Sequence, residues 1–600
     1  MEIELETPYW RLEGGRRAWP RLGIIRDAAL RPVVVILVLQ LAGGVATALG
    51  LLATTSFVEK LLGGELALKE LAFVTAAFGV RGACNAGVGL AQARVNPRVR
   101  RLAEERLVDA SLRTSLSAYD DPAFYDRMHR ARDRGLLHLE MACDNLVDVA
   151  GAVFSVAAAC VSLAVLHPAL MPVLLLGVLP EAWAVMRGAR LQYASMARLV
   201  AVSRRIVMVT ELATKRESAA EIRASQAEPF VLREFREAAD VYRDENIRVG
   251  TRAARIRALG RLMAGAGIVL TFGMLALLVQ VGWVQLAAAG TAVLAIRTAT
   301  AALTQAVLAG NQLAEHGLYI ADYEDFLADA AGRVRPARSA RAVAPERIEL
   351  RGVSFAYPGS DRQALHAVDM TLHRGETIAL VGENGSGKTT LAKLMAGLYQ
   401  PTAGTIAWDG VDVATIDPAS FADRIVMVLQ DPVQWPHTAR SNVHIGRHDR
   451  DDPGDVALQE AAERSGAAEV VAGLSRGWDT LLSKYFRGGQ DLSGGQWQRF
   501  AVARGLYRDA PVLIWDEPTA PLDAKAEFAV YESLRKMADG RTVILITHRL
   551  ASIRHADRIY LLHEGRLAEQ GTHASLMAQG GRYAELYQLQ ARMYGEHVAA

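Results

Sequence analysis

Two stretches of this chain have the composition of an anion site. The first, GENGSGKTT, occupies residues 382–390, and the second, LSGGQ, residues 492–496. In the first, Gly382, Gly385 and Gly387 let the backbone wrap closely around phosphate oxygens, with Glu383, Asn384 and Ser386 completing the turn. Lys388 places a compact positive charge on the β- and γ-phosphates. The Thr389 hydroxyl, with Thr390 beside it, is a candidate ligand of Mg2+. The turn is preceded by an apolar run, TIALV, that reads as a buried strand, and followed by an amphipathic helix whose dipole adds to the field. In the second stretch Ser493, Gly494 and Gly495 stand ahead of a helical run that includes Gln496, which again offers bare N–H groups and the positive end of a dipole. One domain thus carries two phosphate cradles, and the purpose of the second has to be found.

Carboxylates suited to act at the first cradle lie further on. In PVLIWDEP the apolar run 512–515 ends in Asp516 and Glu517. A carboxylate at the end of a buried strand suits a hold on Mg2+, and the next one can polarise a water for in-line attack. A third apolar run, in RTVILITHRL, ends in Thr547 and His548 and is expected to reach the same place.

The rest of the chain must position this chemistry. Six hundred residues call for two or three domains, and a formal net charge of +2 gives no sign of a nucleic-acid partner. Cys84, Cys143 and Cys160 lie in or beside apolar runs without metal or disulfide spacing, so buried free thiols are expected. The acidic, polar start MEIELETPYW is not a signal peptide. Six runs approach the ~20 apolar residues of a spanning helix: 32–57, 71–91 (interrupted by Arg81 and Asn85), 146–166, 168–186, 262–281 and 284–308. Arginines are concentrated in the segment before the first run and in the two long loops, 92–145 and 187–261. The short joints LHP and QVGW carry no Lys or Arg. That asymmetry places both termini and both long loops in the cytoplasm, with the helices continuing into it. Residues 328–346, rich in Ala, Arg and Pro, read as a linker.

With these motifs in order, residues 347–600 resemble the nucleotide-binding domain of ATP-binding cassette (ABC) transporters. Tyr357 in FAYPG matches the aromatic that stacks on adenine, and Gln430 in VLQDP the glutamine that bridges Mg2+ and the membrane domain. LSGGQ matches the family signature, Asp516 and Glu517 the Walker B aspartate and catalytic glutamate, PLD at 521–523 the D-loop, and His548 the switch histidine. The resemblance implies ATP and Mg2+ (at Thr389, Gln430 and Asp516), and it answers the question of the two cradles. In the family, domains pair head to tail, and the signature of one caps the ATP held by Lys388 of the other. The working unit is then a homodimer, or a dimer with a sister chain.

The implied fold is an all-α six-helix transmembrane domain (31–327, after a cytoplasmic segment 1–30) with long cytoplasmic helical extensions, followed by the α/β P-loop domain. It is similar to exporter half-transporters in a bacterial plasma membrane, including those for peptides, lipids and drugs. Residues 117–131 and 215–225 match the coupling helices by position, although a plain solvated helix would read the same way. The chain departs from the family in KYFRGGQD before the signature, which lacks the usual acidic stretch, and in Ala520-Pro521, which replaces a Ser-Ala pair. The SGGQWQR form is associated with peptide exporters, yet no peptidase domain precedes the first span. Among intramembrane polar groups, Gln40, Arg81, Asn85, Arg297, Thr298, Thr300, Thr304 and Gln305 are candidates for a cargo cavity that favours an acidic group, the alternative being arginines that snorkel. Import on the same fold, and a regulatory membrane protein with a decayed ATPase, remain as other readings.

Overall fold

The computed structural model describes residues 23–166, 170–334, 338–517, 540–547 and 553–595. The chain divides into two compact units. One takes the residues up to Leu112 and Asp126–Ala331, and the other Arg113–Tyr125 and the residues from Gly332 onward.

The first unit is built from six long helices: α1 (Gly23–Leu62), α2 (Leu68–Arg113), α5 (Leu136–Leu166), α6 (Leu170–Arg198), α9 (Glu228–Gln280) and α10 (Leu286–Gly332). Between them lie the short α3 (Leu116–Tyr119), α4 (Pro122–Arg130), α7 (Val200–Thr214) and α8 (Arg216–Ala224). Among the described residues five helices are long and apolar enough to cross a bilayer: α1, α2, α4 running on into α5, α9 and α10. The remaining apolar run, 168–186, falls on α6, whose side chains 171–178 lie outside the described residues. The helices outrun the apolar segments, as the long polar periodic stretches require. Helix α1 breaks at Ala29 (φ −149°), three residues before Pro32, whose ring removes an N–H and crowds the preceding turn. The QVGW joint is a tight cap. Gly282 (φ +80°) follows the cap residue Val281 of α9, and Trp283 N donates to Leu278 O at 2.9 Å.

Small residues bring these helices together. A Cβ on Gly260 of α9 would stand 2.3 Å from the Ala184 Cβ and 3.0 Å from the Pro180 carbonyl of α6, so only glycine allows that approach. Gly44 of α1 meets Phe154 of α5 in the same way, and Gln40 lies against Gly151. Glu181 of α6 accepts from Thr304 of α10 at 3.4 Å and stands 3.8 Å from Arg261 of α9. Cys84 and Cys143 are buried free thiols as expected, whereas Cys160 is only half-buried.

Just ahead of α5 the chain passes through a π-helical turn, Ala131–Gly135. There a Cβ on Gly135 would meet that of Tyr323 at 2.8 Å. One turn on, His138 and His316 of α10 face each other with their Nδ1 atoms 2.8 Å apart, and the Tyr319 ring stacks on His138 at 3.8 Å. One imidazole must donate and the other accept, so the contact needs at least one neutral ring. Burial pushes both pKa values below the ordinary 6.5, that of His138 to about 4, where His316 and Arg134 push the same way. Since the folded-state values are depressed, this stability is complete above pH 6.5 and is lost as pH falls toward 4. The thermal midpoint of the detergent-solubilised chain is therefore expected to drop by a few degrees between pH 7 and pH 5. The drop should be smaller in the His138→Gln/His316→Gln double variant, and an equal drop in both forms would remove the pair as its cause.

The second unit takes up the chain again at Gly332. Helix α10 continues to Gly332, past the start expected for the linker at 328, because ADAAG holds good helix formers and nothing that ends a helix before its glycine. Strands β1 (Arg347–Ala356), β2 (Gln363–His373), β4 (Ala403–Trp408) and β5 (Val411–Asp412) form an antiparallel sheet of order β2-β1-β4-β5. A second sheet has the order β10-β9-β3-β8-β7-β6, from β3 (Thr377–Val381), β6 (Ile425–Val428), β7 (Val512–Asp516), β8 (Thr542–Ile546), β9 (Arg558–His563) and β10 (Arg566–Gly571). Its centre is parallel, with both faces covered, which is why β3, β7 and β8 read as unbroken apolar runs. Alternate residues serve two cores. Ala379, Val381, Leu513, Trp515, Val543 and Leu545 point to one, and Ile378, Leu380, Val512, Ile514, Ile544 and Ile546 to the other. Helix α11 (Lys388–Met395) follows β3. Helices α12 (Pro418–Ala422), α13 (Ala439–His444), α14 (Val456–Ser465) and α15 (Ala467–Ala472) come before α16 (Gly494–Arg508).

The segment 113–125 packs with this unit rather than with the long helices on either side of it in sequence. Thr114 bridges to Val334, and Ser115 N donates to Arg333 O at 3.1 Å. Arg333 pairs with Asp121 at 2.8 Å and lies over the fully buried Phe124 ring. Asp121 Oδ1 accepts from Ala123 N at 2.9 Å, the cap that Asp-Pro predicts at the start of α4. The expected second short helix is present as α8, set off by turns on both sides.

Candidate nucleotide site

Parallel pairing sets β3, β8 and β7 side by side, with Leu380 opposite Ile546 and Ile546 opposite Asp516. The residues just past these strand ends therefore converge, as they do at the carboxyl edge of open parallel sheets. An open cleft of about 1310 Å³ lies there. It is lined by Tyr357, Gly382, Glu383, Asn384, Gly385, Gly387, Lys388, Thr389, Thr390, Gln430 and Glu517 among others.

The turn from β3 to α11 is closely fitted. Gly382 (φ +148°) and Gly387 (φ +101°) hold conformations closed to most residues. A Cβ would stand 2.2 Å from Leu562 O at the first and 2.7 Å from Leu365 Cδ2 at the second. Ser386 is buried and its hydroxyl has no hydrogen-bond partner. Lys388 Nζ is held by Gly382 O at 2.8 Å and Glu383 O at 2.9 Å. Burial lowers its pKa, opposed by the Glu517 and Asp516 carboxylates, and burial raises that of Asp516. Thr389 Oγ1 donates to Asp516 Oδ1 at 3.3 Å. A hydroxyl and a carboxylate so placed, beside a lysine drawn onto carbonyls and a buried serine whose hydroxyl has no partner among the described residues, fit a phosphate chain with a divalent cation. Glu517 follows with φ +47°, its N–H donating to Ile546 O at 3.0 Å, which turns the chain sharply at the strand end. Gln430 is exposed at the cleft. Tyr357 is half-buried at the other end, its hydroxyl 3.0 Å from Thr390 Oγ1.

The signature residues are arranged differently. None of 492–496 lines the cleft. Ser493 caps α16: its Oγ accepts from Gln496 N at 3.3 Å, while Gln496 Oε1 accepts from Ser493 N at 2.9 Å. This capping box engages the Gln496 amide oxygen within its own helix. It leaves the Ser493 O–H to donate outward, and Ser493 and Gly494 are exposed. Before the signature, Asp491 pairs with Lys484 at 2.8 Å and Gln490 accepts from Ser475, so the unusual stretch is tied into its own domain. His548 and residues 520–523 lie outside the described residues.

Residues 365–520 match the family model described as ABC transporter. The nucleotide unit is an ABC domain. An ABC domain binds ATP, and the cleft has the glycines, lysine and aromatic to do so. Curated relatives match over less than half of the chain. One is an ATP-dependent lipid A-core flippase of Chromobacterium violaceum, 41% identical over 280 residues, or 47% of each chain. Another, of the same description, from Aromatoleum aromaticum, is 42% identical over 41% of this chain and 40% of its own. The match spans less than half the length of these relatives. A solved structure described as a bacterial Atm1-family ABC exporter with ATP bound is similar over 95% of this chain and 99% of its own, with a TM-score of 0.77 and 25% identity. The chain has the build of an exporter-type half-transporter, a helical multi-pass membrane unit joined to one ABC domain.

Arg362, His366, Glu564 and Arg566 also line the cleft, and sequence reasoning passed over them. They come from β2 and the β9–β10 turn, and no short motif carries them. Only the pairing of β9 beside β3, with Gly565 N donating to Ser386 O at 3.1 Å, brings that turn to the phosphate loop.

Proposed function

We propose that this chain is an ATP-driven exporter half-transporter with ATPase activity, working as a homodimer or with a sister chain. In this reading the unit up to residue 327 lies in a bacterial plasma membrane with both termini in the cytoplasm, and residues 347–600 form the motor. The observation that carries it is the separation of the two cradles. The cleft holds Lys388, Thr389, Asp516 and Glu517, while Ser493 stands exposed on another helix end with a proton left to donate. Each domain thus has one complete half of a site and the complement of a second.

In the assigned roles Tyr357 meets the base, the 382–390 loop and Lys388 hold the phosphates, and Ser493 and Gly495 of a partner close over the γ-phosphate. Thr389, Asp516 and Gln430 would hold Mg2+, which when bound screens the phosphate charge. Glu517 holds the attacking water in line and takes its proton, a step in which His548 is assigned the switch role. Closure of the two domains on ATP drives the helices outward-open, and hydrolysis resets them. The cargo we favour is an amphiphile with an acidic group. Arg81 and Arg297 support it, since neither has an ion-pair or hydrogen-bond partner among the described residues, and so does the lipid named in the relatives' description.

The test is ATPase activity of the full chain in lipid nanodiscs, screened against anionic lipids, short peptides and hydrophobic drugs. Severalfold stimulation by anionic lipid, reduced in Arg81→Ala and Arg297→Ala with basal turnover kept, is expected. Stimulation by another class alone, or equal stimulation of both variants, removes the acidic-amphiphile reading. Absence of any turnover removes the homodimer.

A further inference from the structure

The end of the cleft that faces the base has a wall behind it. The Tyr357 ring meets the Tyr399 ring edge-on, with centroids 5.6 Å apart and planes at 83°. Phe355 packs against both, at 5.0 and 5.3 Å. Tyr399 sits on the stretch between α11 and β4 and is 6% exposed, yet its hydroxyl is not stranded: it donates to Asp120 Oδ2 at 2.7 Å. Burial and the Asp120 carboxylate both raise the pKa of this phenol, so it stays a donor across the working pH range. Asp120 closes α3, in the segment 113–125 that packs with the nucleotide unit. At its other edge Tyr357 touches Thr390, beside the candidate cation ligand Thr389. Two tyrosines therefore join the base-facing side of the cleft to the acid that ends α3.

We propose that Tyr399 is a positioning residue that couples the base held at Tyr357 to Asp120, so that the α3 segment responds to the base of the nucleotide and not to its phosphates alone. The inference rests on the reading of Tyr357 as the base platform. Its physics is an anchor at each end. The hydrogen bond to Asp120 fixes the Tyr399 ring, whose edge fixes the plane Tyr357 can present. A base stacked on that plane holds the same chain from the other side. Linkage makes the coupling reciprocal: releasing the Asp120 end must weaken binding of the base, and binding of the base must steady the α3 segment. Phosphate binding at Lys388 does not pass through the Tyr399–Asp120 bond and is little affected by its loss.

The experiment uses the full chain in nanodiscs and two probes, ATP and inorganic tripolyphosphate, which occupies the phosphate loop without a base. Tyr399→Phe keeps both rings and loses the hydroxyl. It is expected to raise KM for ATP roughly 2- to 12-fold, the worth of one hydrogen bond, with kcat less affected and competition by tripolyphosphate unchanged. Asp120→Ala should do the same, and Asp120→Asn, which still offers an acceptor, should stay near the parent. In the parent, ATP should slow amide exchange over residues 113–125 more than tripolyphosphate does, and Tyr399→Phe should erase the difference. Tyr357→Ala tests the underlying reading, with a loss of about tenfold or more in ATP affinity expected from lost stacking. If Tyr357→Ala shows that loss while Tyr399→Phe and Asp120→Ala match the parent in KM and exchange, the coupling is refuted and the platform stands. If Tyr357→Ala binds ATP as the parent does, the platform itself fails. Equal weakening of ATP and tripolyphosphate in Tyr399→Phe would mean a general loss of packing and would also overturn the proposal.

Discussion

Glu517→Gln is expected to bind ATP as the parent chain does and to hydrolyse it about 10²–10⁴-fold more slowly, the usual worth of a positioned base. The substitution keeps shape and hydrogen-bonding length and removes only the ability to take a proton. Nothing that holds the phosphates changes: the glycine turn, Lys388 and the Thr389–Asp516 pair are separate groups. Closure without turnover then accumulates, so two ATP per dimer should be retained through gel filtration and the nucleotide domains should cross-link in high yield. Residual turnover near the parent rate would mean that the water is activated elsewhere, with Asp516 the first group to examine. Lys388→Ala is the contrast. It removes the charge that burial has already made costly to keep, and weakens nucleotide binding itself.

The second large effect is expected in mixed dimers. Ser493→Ala and Lys388→Ala homodimers should each be inactive, since every composite site in them lacks either a donor to the γ-phosphate or the lysine. When one copy carries Ser493→Ala and the other Lys388→Ala, the outcome depends on which surfaces meet. In a two-fold dimer with the signature of one chain facing the phosphate loop of the other, both lesions fall in one site and the second site is untouched. Differentially tagged, doubly purified mixed dimers should then trap ATP at one site per dimer and recover measurable turnover. If each chain's signature served its own loop, each site would carry one lesion and neither nucleotide trapping nor turnover would return. The capping box favours the first result, because Ser493 already spends an acceptor lone pair on its own helix and points its remaining donor outward.

What the sequence made legible was what is local. The glycine-rich turn, the acid pair after β7 and the serine before α16 each sit within a few residues of the strand or helix that positions them. Alternation and apolar runs named those elements without further help. The arginine asymmetry was legible for a similar reason, since it is a property of whole segments, and the orientation read from it remains a proposal. What stayed hidden was set by distance along the chain. Tyr399 and Asp120 are 279 residues apart, and the two facing histidines 178. Nothing in either neighbourhood marks them. Residues 117–131 match a short coupling helix by position, but nothing near them names Arg333, Val334 and Tyr399, far downstream, as partners that tie segment 113–125 to the nucleotide unit. The misplaced start of the linker has a simpler cause. Alanine-rich sequence is poor in large apolar residues whether it is helix or loop, and composition alone does not separate the two.

The backbone at Glu517 carries a conflict between durability and work. Its φ of +47° belongs to a region that costs a side-chain-bearing residue about 1–2 kcal/mol, and that asparagine enters far more readily. An asparagine there would relax the turn after β7 and give a domain that outlasts the natural one on heating, at the expense of the group that takes the proton from water. Laboratory evolution of this chain for heat resistance alone would therefore be drawn to this residue and would return a sturdier protein that no longer turns over ATP. A stabilised variant for structural work should leave position 517 fixed and seek its gains elsewhere.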